Sequence, residues 1–289
     1  MINEILISIF IILFITLLTM IIYKNLYEKK VNNRNFLVFT SAGNNSINFI
    51  KPWFKSYRNY DIAIAWYGTD ENVRKELSKL CDYMIDIKGG KFPNFKYFYY
   101  NNPNIINNYK GFWIVDDDIS LESNKISKLF ETLIKEKLYI LSPSFNTNGK
   151  ISHKINIKDN RYLDPVKMSG EKVKYNKCIR YTNFVEMTCP FFSIDIIHVV
   201  IKDFPNILVG WGGDWYFLNI VYDYMNIQRG SKNDKIAIDD CIDIINPHDN
   251  DKIDGIREIH RLSNDETRKK IWGIIMNNKN YETWEHLNF

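Results

Sequence analysis

The sequence predicts an α/β protein: a mixed, mainly parallel sheet flanked by helices, preceded by an amino-terminal transmembrane helix. Three observations lead there. Short apolar runs rich in β-branched and aromatic residues alternate with helical stretches from Asn35 onward, the pattern of parallel strands joined by crossover helices. Each run ends in a loop of small or polar residues. Ahead of them stands an apolar segment without a single charge.

That segment, residues 5–22, reads ILISIFIILFITLLTMII, with only Ser8, Thr16 and Thr19 as mild polar breaks. As a helix it spans about 27 Å, close to the roughly 30 Å hydrocarbon thickness of a bilayer. No small-residue cleavage site follows, so a retained anchor is expected rather than a removed signal or a buried helix. Lys24, Lys29, Lys30 and Arg34 follow it and only Glu4 precedes it. The positive-inside rule would then hold the body in the cytosol. A luminal body, as in Golgi-type anchored enzymes, is the alternative, and only there would the sequon Asn44-Asn45-Ser46 meet glycosylation.

The body reads in order. FLVFT (36–40) is the first strand, with SAGNNS as its loop. DIAIAWYG (61–68) is the second, and DENVRKELSKLCDY the helix after it, with Asp70 placed to cap its start. YMIDIKGG holds the third strand and GFWIV (111–115) the fourth. SNKISKLFETLIKEK carries Ile126, Leu129, Phe130 and Ile134 at helical spacing, and LYILSPS is the fifth strand. Further on, NFVEMTCPFFSIDIIHVVI holds a buried strand, a Cys-Pro turn and a helix. ILVGWGGDWYFLNIVYDYM is a Gly-rich loop entering an apolar helix, and IAIDDCIDIINPH is another strand region. Ligands of parallel sheets sit at the carboxyl ends of the strands. Residues 40–45, 67–70, 88–91 and 116–118 share that edge.

Composition narrows the classes. The chain has 289 residues, 45% hydrophobic and 15% aromatic, enough for one sizeable core. A formal net charge of +4 lacks the dense basic patch of a nucleic-acid binder. Cys81, Cys178, Cys189 and Cys241 form no C-x-x-C pair, which argues against a zinc site of that kind. They are expected to be free, mostly buried thiols, although their even number permits disulfides.

Three features carry chemistry. WIVDDDIS (113–120) sets three aspartates at the end of the fourth strand. If the backbone stays extended, Asp116 and Asp118 share a face and can hold one divalent cation through hard oxygen ligands, while Asp117 points elsewhere. The alternative is a solvated turn capping the next helix. GWGGDW (210–215) offers glycines that let a backbone approach a ligand. Trp211 there is a platform for a sugar ring, and Asp214 can accept a proton from a hydroxyl. The alternative is a tight loop with Trp211 in the core and Asp214 as a cap. His248, in INPHD, stands where it can complete a metal site, or simply pack at the surface.

In this order, a strand followed by D-x-D, then GWGGD, then a downstream histidine, the sequence resembles glycosyltransferases of the GT-A fold. GWGGD is similar to the Gly-Trp-Gly-Gly-Glu-Asp loop of the β-1,4-galactosyltransferase family. The stretches YKGFWIVDDDISLE, YILSPSFNTNGKISHKI, TNFVEMTCPFFS, LVGWGGDW and IAIDDCIDIINPH resemble an uncharacterised glycosyltransferase-like family of plants and large algal viruses. Together they span roughly residues 36–250.

The resemblance implies a Rossmann-type GT-A domain over 31–289, with a nucleotide-sugar half about 31–150 and an acceptor half about 151–289, behind an anchor and flank of 1–30. It implies Asp116, Asp118 and His248 as ligands of Mn²⁺ or Mg²⁺ on a nucleotide-diphosphate sugar, a UDP-sugar in the first instance. Thr40, Ser41, Asn44, Lys91 and Asp117 would meet the nucleotide sugar. Glu186, Trp211, Gly212 and Gly213 would meet a glycan or glycoconjugate acceptor, and Asp214 would be the base of an inverting transfer. The galactosyltransferase loop has Glu then Asp where this chain has Asp214 then Trp215, which leaves the base and the stereochemistry open. Glu186 is the other acidic candidate, or else a buried structural carboxylate. Two other classes compete: another metal-dependent phosphate-processing enzyme, and a membrane-tethered carbohydrate-binding protein without turnover.

Overall fold

The computed structural model describes residues 14–20, 34–55, 58–163, 165–166, 174–175, 178–248 and 258–289. The chain divides into two units, Met1–Arg34 and Asn35–Phe289. In the first, residues 14–20 are helical and exposed. The rest of the expected anchor and its basic flank up to residue 33 lie outside the described residues. Among the described residues, no helix is long and apolar enough to cross a membrane.

The second unit is built on an eight-stranded sheet. Its strands are β1 (Phe36–Ala42), β2 (Tyr60–Trp66), β3 (Tyr83–Asp86), β4 (Gly111–Asp116) and β5 (Ile140–Phe145), then β8 (Ile179–Tyr181), β9 (Phe191–Ser193) and β10 (Ile236–Ile244); β6 (Pro165–Val166) and β7 (Lys174–Tyr175) form a separate pair. The order is β3-β2-β1-β4-β9-β5-β10-β8. Neighbours β3, β2, β1 and β4 run parallel, as do β5 and β10. Only β9, between β4 and β5, and β8, at the β10 edge, run against their neighbours. The sheet is therefore mixed and mainly parallel, as expected.

Helices cover both faces, so the central strands read as continuous apolar runs rather than alternating ones. β1 is buried at every position. Its residues divide by the two-residue period of a strand. Leu37 and Phe39 enter one core, with Phe92, Phe95 and Phe98. Phe36 and Val38 enter the other, with Trp53, Trp113 and Phe130. The longer helices are α1 (Glu71–Leu80), α2 (Lys91–Asn101), α3 (Ser123–Lys135), α4 (Ile194–Lys202), α5 (Gly213–Met225) and α6 (Asp265–Lys279). Asp70 caps α1 as predicted, accepting from the backbone N–H groups of Asn72 and Val73. On α3, Ile126, Leu129 and Phe130 face the core, but Leu133 replaces Ile134, which is exposed.

Three expectations change. The NFVEM stretch is not a strand; β9 begins after Pro190. The backbone that follows it, residues 188–190, still runs beside β4, because Ile114 donates to the Pro190 carbonyl and Asp116 to that of Thr188. Lys91, expected in a loop, opens α2, whose first turn tolerates Pro93 because that position has no helical N–H bond to lose. Cys178 and Cys241 are joined in a disulfide, and only Cys81 and Cys189 are free. The register of β8 against β10, where Ile179 faces Asp239, draws those two cysteines together.

Long-range polar contacts close the second half of this unit. Arg180 is 1% exposed and makes a bidentate pair with Asp240 at 2.8 and 3.0 Å. It also donates to the carbonyls of Ile155 and Ile157 and to Asn288. Asn183 holds the chain end, donating to the Glu285 carbonyl and accepting from the Leu287 N–H.

Candidate functional site

The carboxyl ends of β1, β2 and β4 open into a cavity of about 980 Å³. Ser41, Asn44, Lys91, Asp116, Asp117 and Asp118 line it from the first half of the sheet; Glu186, Trp211, Gly212 and Asp214 line it from the second. Sequence-distant segments thus converge on one space. Thr40, Gly213 and His248 do not line it. Thr40 and Ser41 alternate across β1, so only one can face the cavity; Ser41 does, and accepts a hydrogen bond from Asn94 at 2.9 Å. Gly213 is buried against Met187. His248 is exposed beyond β10. Among the described residues it joins no cluster of ligand atoms with Asp116 and Asp118.

The aspartate run is a turn, not an extended strand. β4 ends at Asp116, and the Ile119 N–H reaches back to the Asp116 carbonyl. The turn brings all three side chains to the cavity wall, where alternation along a strand would have turned Asp117 away. Asp117 has a structural task there. Its Oδ2 accepts from the Gly43 N–H at 3.2 Å, the Tyr67 hydroxyl at 3.0 Å and the Ser46 hydroxyl. It therefore fastens the loops after β1 and β2 to the end of β4. Asn44 ties the same loops, accepting from Thr69 and Asp70 N–H groups at 2.8 and 2.9 Å. With Asn44 so engaged and Ser46 buried, the sequon is part of the folded site.

Asp116 and Asp118 are hard oxygen donors on the wall of a ligand-sized cavity, a set that suits Mg²⁺ or Mn²⁺. Asp118 is buried, while Asp116 keeps about a third of its side chain exposed. Lys91 Nζ lies 2.8 Å from Asp116 Oδ1 and donates to the Thr188 carbonyl at 2.6 Å.

Across the cavity the GWGGD loop explains its own glycines. Gly210 and Gly212 hold φ of +76° and +82°, a left-handed backbone that side chains resist. A Cβ on Gly212 would also sit 2.3 Å from the Trp272 ring. The loop delivers Asp214 into the first turn of α5, where Oδ1 accepts from the Trp215 N–H at 2.9 Å. Burial, and secondarily the nearby Glu186 carboxylate, push the Asp214 carboxyl up to about 7. Glu186 accepts from Thr188 at 2.8 Å and Asn156 at 3.0 Å, and burial raises its pKa as well. Trp211 is half-exposed, with the Lys269 ammonium 4.6 Å from its ring centre.

Sequence reasoning missed several residues here. His153 Nε2 stands 3.8 Å from Asp214 Oδ2, and burial lowers the His153 pKa, which favours the neutral ring. His153 lies in the stretch YILSPSFNTNGKISHKI without being singled out there, and only the fold of the chain after β5 puts it opposite Asp214. Arg268 and Trp272 of α6 also line the cavity, from a part of the chain that carries no recognisable motif.

Residues 15–269 match the family described as "Protein of unknown function (DUF707)". The chain belongs to that family. No curated protein matches this DUF707 chain. Among solved structures, GalNAc-T7 with UDP, GalNAc and Mn²⁺ is similar at a TM-score of 0.50 and 10% identity. That match covers 82% of this chain and 49% of the other, so the chain spans about half the length of GalNAc-T7. S. aureus TarS 1-349 is similar at 0.44 and 12% identity, over 84% of this chain and 71% of that one. TarS 1-349 in complex with UDP gives 0.45 and 10%, over 73% and 59%. The likeness to GalNAc-T7 bears on fold: the mixed, mainly parallel sheet with flanking helices is GT-A-like.

Proposed function

We propose that this protein is a divalent-cation-dependent glycosyltransferase. It would move a sugar from a nucleoside-diphosphate sugar, a UDP-sugar in the first instance, to a hydroxyl of a glycan or glycoconjugate. One observation carries the reading. Asp116 and Asp118, at the end of β4, and Asp214, at the start of α5, meet on a single cavity. At about 980 Å³ that cavity is large enough for a nucleotide sugar and a second ring. The GT-A-like fold shared with GalNAc-T7, whose structure holds UDP, GalNAc and Mn²⁺, supports the same donor class.

In this reading Asp116 and Asp118 hold Mn²⁺ or Mg²⁺. The cation, when bound, neutralises charge on the departing diphosphate. Ser41 and the loop braced by Asn44 and Asp117 receive the nucleotide, and Lys91 faces the diphosphate. Trp211 and Gly212 receive the acceptor ring. Asp214 Oδ2 takes the proton of the acceptor hydroxyl, and a pKa near neutrality suits that task. A hydroxyl oxygen about 2.8 Å from both Asp214 Oδ2 and His153 Nε2 fits the 3.8 Å between them. His153 would then orient the hydroxyl that Asp214 deprotonates. Glu186, with its oxygens engaged, acts through Asp214 rather than on substrate. Inversion by single displacement follows if Asp214 is the base. His248 is not part of this set.

The Cys178–Cys241 disulfide supports a body on the oxidising side of a membrane, against the placement expected from the flanking lysines. The anchor at residues 5–22 would tether it there. Alkylation of cellular protein with and without prior reduction tests this: two protected cysteines support it, four reactive ones oppose it.

Thermal melting of the full-length protein in detergent, across a panel of nucleotide sugars with and without Mn²⁺, tests the activity class. Metal-dependent stabilisation by one donor is expected. No response to any donor, or phosphoester hydrolysis without sugar transfer, would defeat the proposal.

A further inference from the structure

Lys91 occupies an unusual place for a cation. It is 8% exposed, yet its Nζ sits 2.8 Å from Asp116 Oδ1, at the carboxylate that the nucleotide-sugar reading gives to a divalent ion. The Thr188 carbonyl holds the same ammonium at 2.6 Å, and Thr188 lies on the segment that brings Glu186 into the cavity. Lys91 is the first residue of α2, so its backbone is set by a helix packed on the sheet through Phe92, Phe95 and Phe98. The ammonium therefore has little room to retreat into solvent.

We propose that Lys91 makes cation binding conditional on the diphosphate. The inference rests on the nucleotide-sugar reading and adds an order of events to it. A divalent ion arriving alone at Asp116 and Asp118 meets a buried positive charge a few ångströms away. In that low-dielectric wall the repulsion is poorly screened, and Asp116 must also share its charge between two cations. A diphosphate changes both conditions. It gives the ammonium a new anionic partner, which frees Asp116 Oδ1, and its charge offsets that of the ion. By linkage, whatever nucleotide does for the cation the cation does for nucleotide. The consequence is a site that stays metal-poor until donor arrives.

The test is Mn²⁺ binding to the full-length protein in detergent, followed by electron paramagnetic resonance of the free ion, with and without UDP. In the native protein, UDP is expected to tighten Mn²⁺ binding by about tenfold or more. Lys91→Met keeps the stem and removes the charge. It is expected to bind Mn²⁺ without UDP about tenfold more tightly than the native protein, with most of the UDP effect gone. Lys91→Arg, which keeps the charge, should retain the coupling. Lys91→Gln provides the same test if the Met variant does not fold. Unchanged affinity for Mn²⁺ alone in the neutral variants would overturn the inference while leaving the nucleotide-sugar reading in place. Failure of the native protein to bind UDP or Mn²⁺ in any combination would overturn both.

Discussion

The two halves of the body share apolar cores, but the second adds long-range polar ties gathered at single buried residues. From β1 to β5 the structure is local and repetitive: apolar strand, loop, helix, with the loops collected at one sheet edge by the parallel topology. From residue 151 onward the chain also fills the apolar core, through residues such as Phe192, Val200, Phe217 and Val221, and a few buried polar residues and one disulfide add long-range ties. Arg180 ties β8 to Asp240, to the Ile155 and Ile157 carbonyls and to Asn288 at once. Asn219 on α5 and Asn183 clasp the chain end through Glu282, Glu285 and Leu287. On the donor side the load is shared by many apolar contacts. The acceptor side has such contacts too, but it also concentrates polar ties at single residues, where removing one side chain strands several buried polar groups at once.

That contrast breaks most sharply at Arg180. Arg180→Ala leaves Asp240 buried without its counter-charge, although the Asp159 N–H still donates to it, and is expected to cost about 3–5 kcal/mol, read by chemical denaturation. A conservative cavity change on the donor side, such as Val38→Ala, should cost clearly less. Equal costs would mean that the two halves are not built differently.

Asp118→Ala comes next and touches chemistry rather than fold. Transfer should fall by about 10²–10³ while the melting temperature without ligand stays close to native. Unchanged turnover would remove the cation role from this turn.

Asp214→Asn, from the concentrated half, should slow transfer by about a hundredfold or more. The pH profile gives the sign. The base must be ionised, and Asp214 holds its proton up to about pH 7. Native kcat/KM should therefore rise with pH through about 7 and level off above it. The Asn variant should lose that limb, and a native profile flat from pH 5 to 8 would take the base role away from Asp214.

The smallest effect belongs to Trp211. Its ring already carries Lys269 on one face, so Trp211→Ala should raise the acceptor KM several-fold and leave kcat and donor KM nearly unchanged. A fall in donor affinity instead would place Trp211 on the other side of the reaction.

Much of the donor half is legible in the sequence because its signals are short-ranged. A short run rich in β-branched and aromatic residues such as FLVFT favours a strand, and Asp70 caps α1 through bonds to the next residues along the chain. The DDD and GWGGD stretches marked themselves by residues that are costly anywhere but at a site. Other features depend on which distant chain lies nearby. Asp117 is expected from the sequence to meet the nucleotide sugar, and its bonds to Gly43, Ser46 and Tyr67 become visible only in the fold. His153 and Arg268 are not singled out in the sequence, and Lys91 is placed at the ligand edge there without any signal that it sits on Asp116.

The sequence by itself determined the strand–helix alternation, the parallel direction of the first strands, and the two polar stretches at their ends. These follow from side-chain period, capping and the reach of a crossover connection, all of which act within a few tens of residues. Only the tertiary structure decided that the two stretches share one cavity, that Cys178 meets Cys241, and that a buried lysine sits on the first aspartate of the pair. Those outcomes depend on the order of strands in the sheet and on burial, which raises the Asp214 pKa and fixes the Lys91 ammonium in place. Burial is a property of the whole fold, and no short stretch of chain carries it.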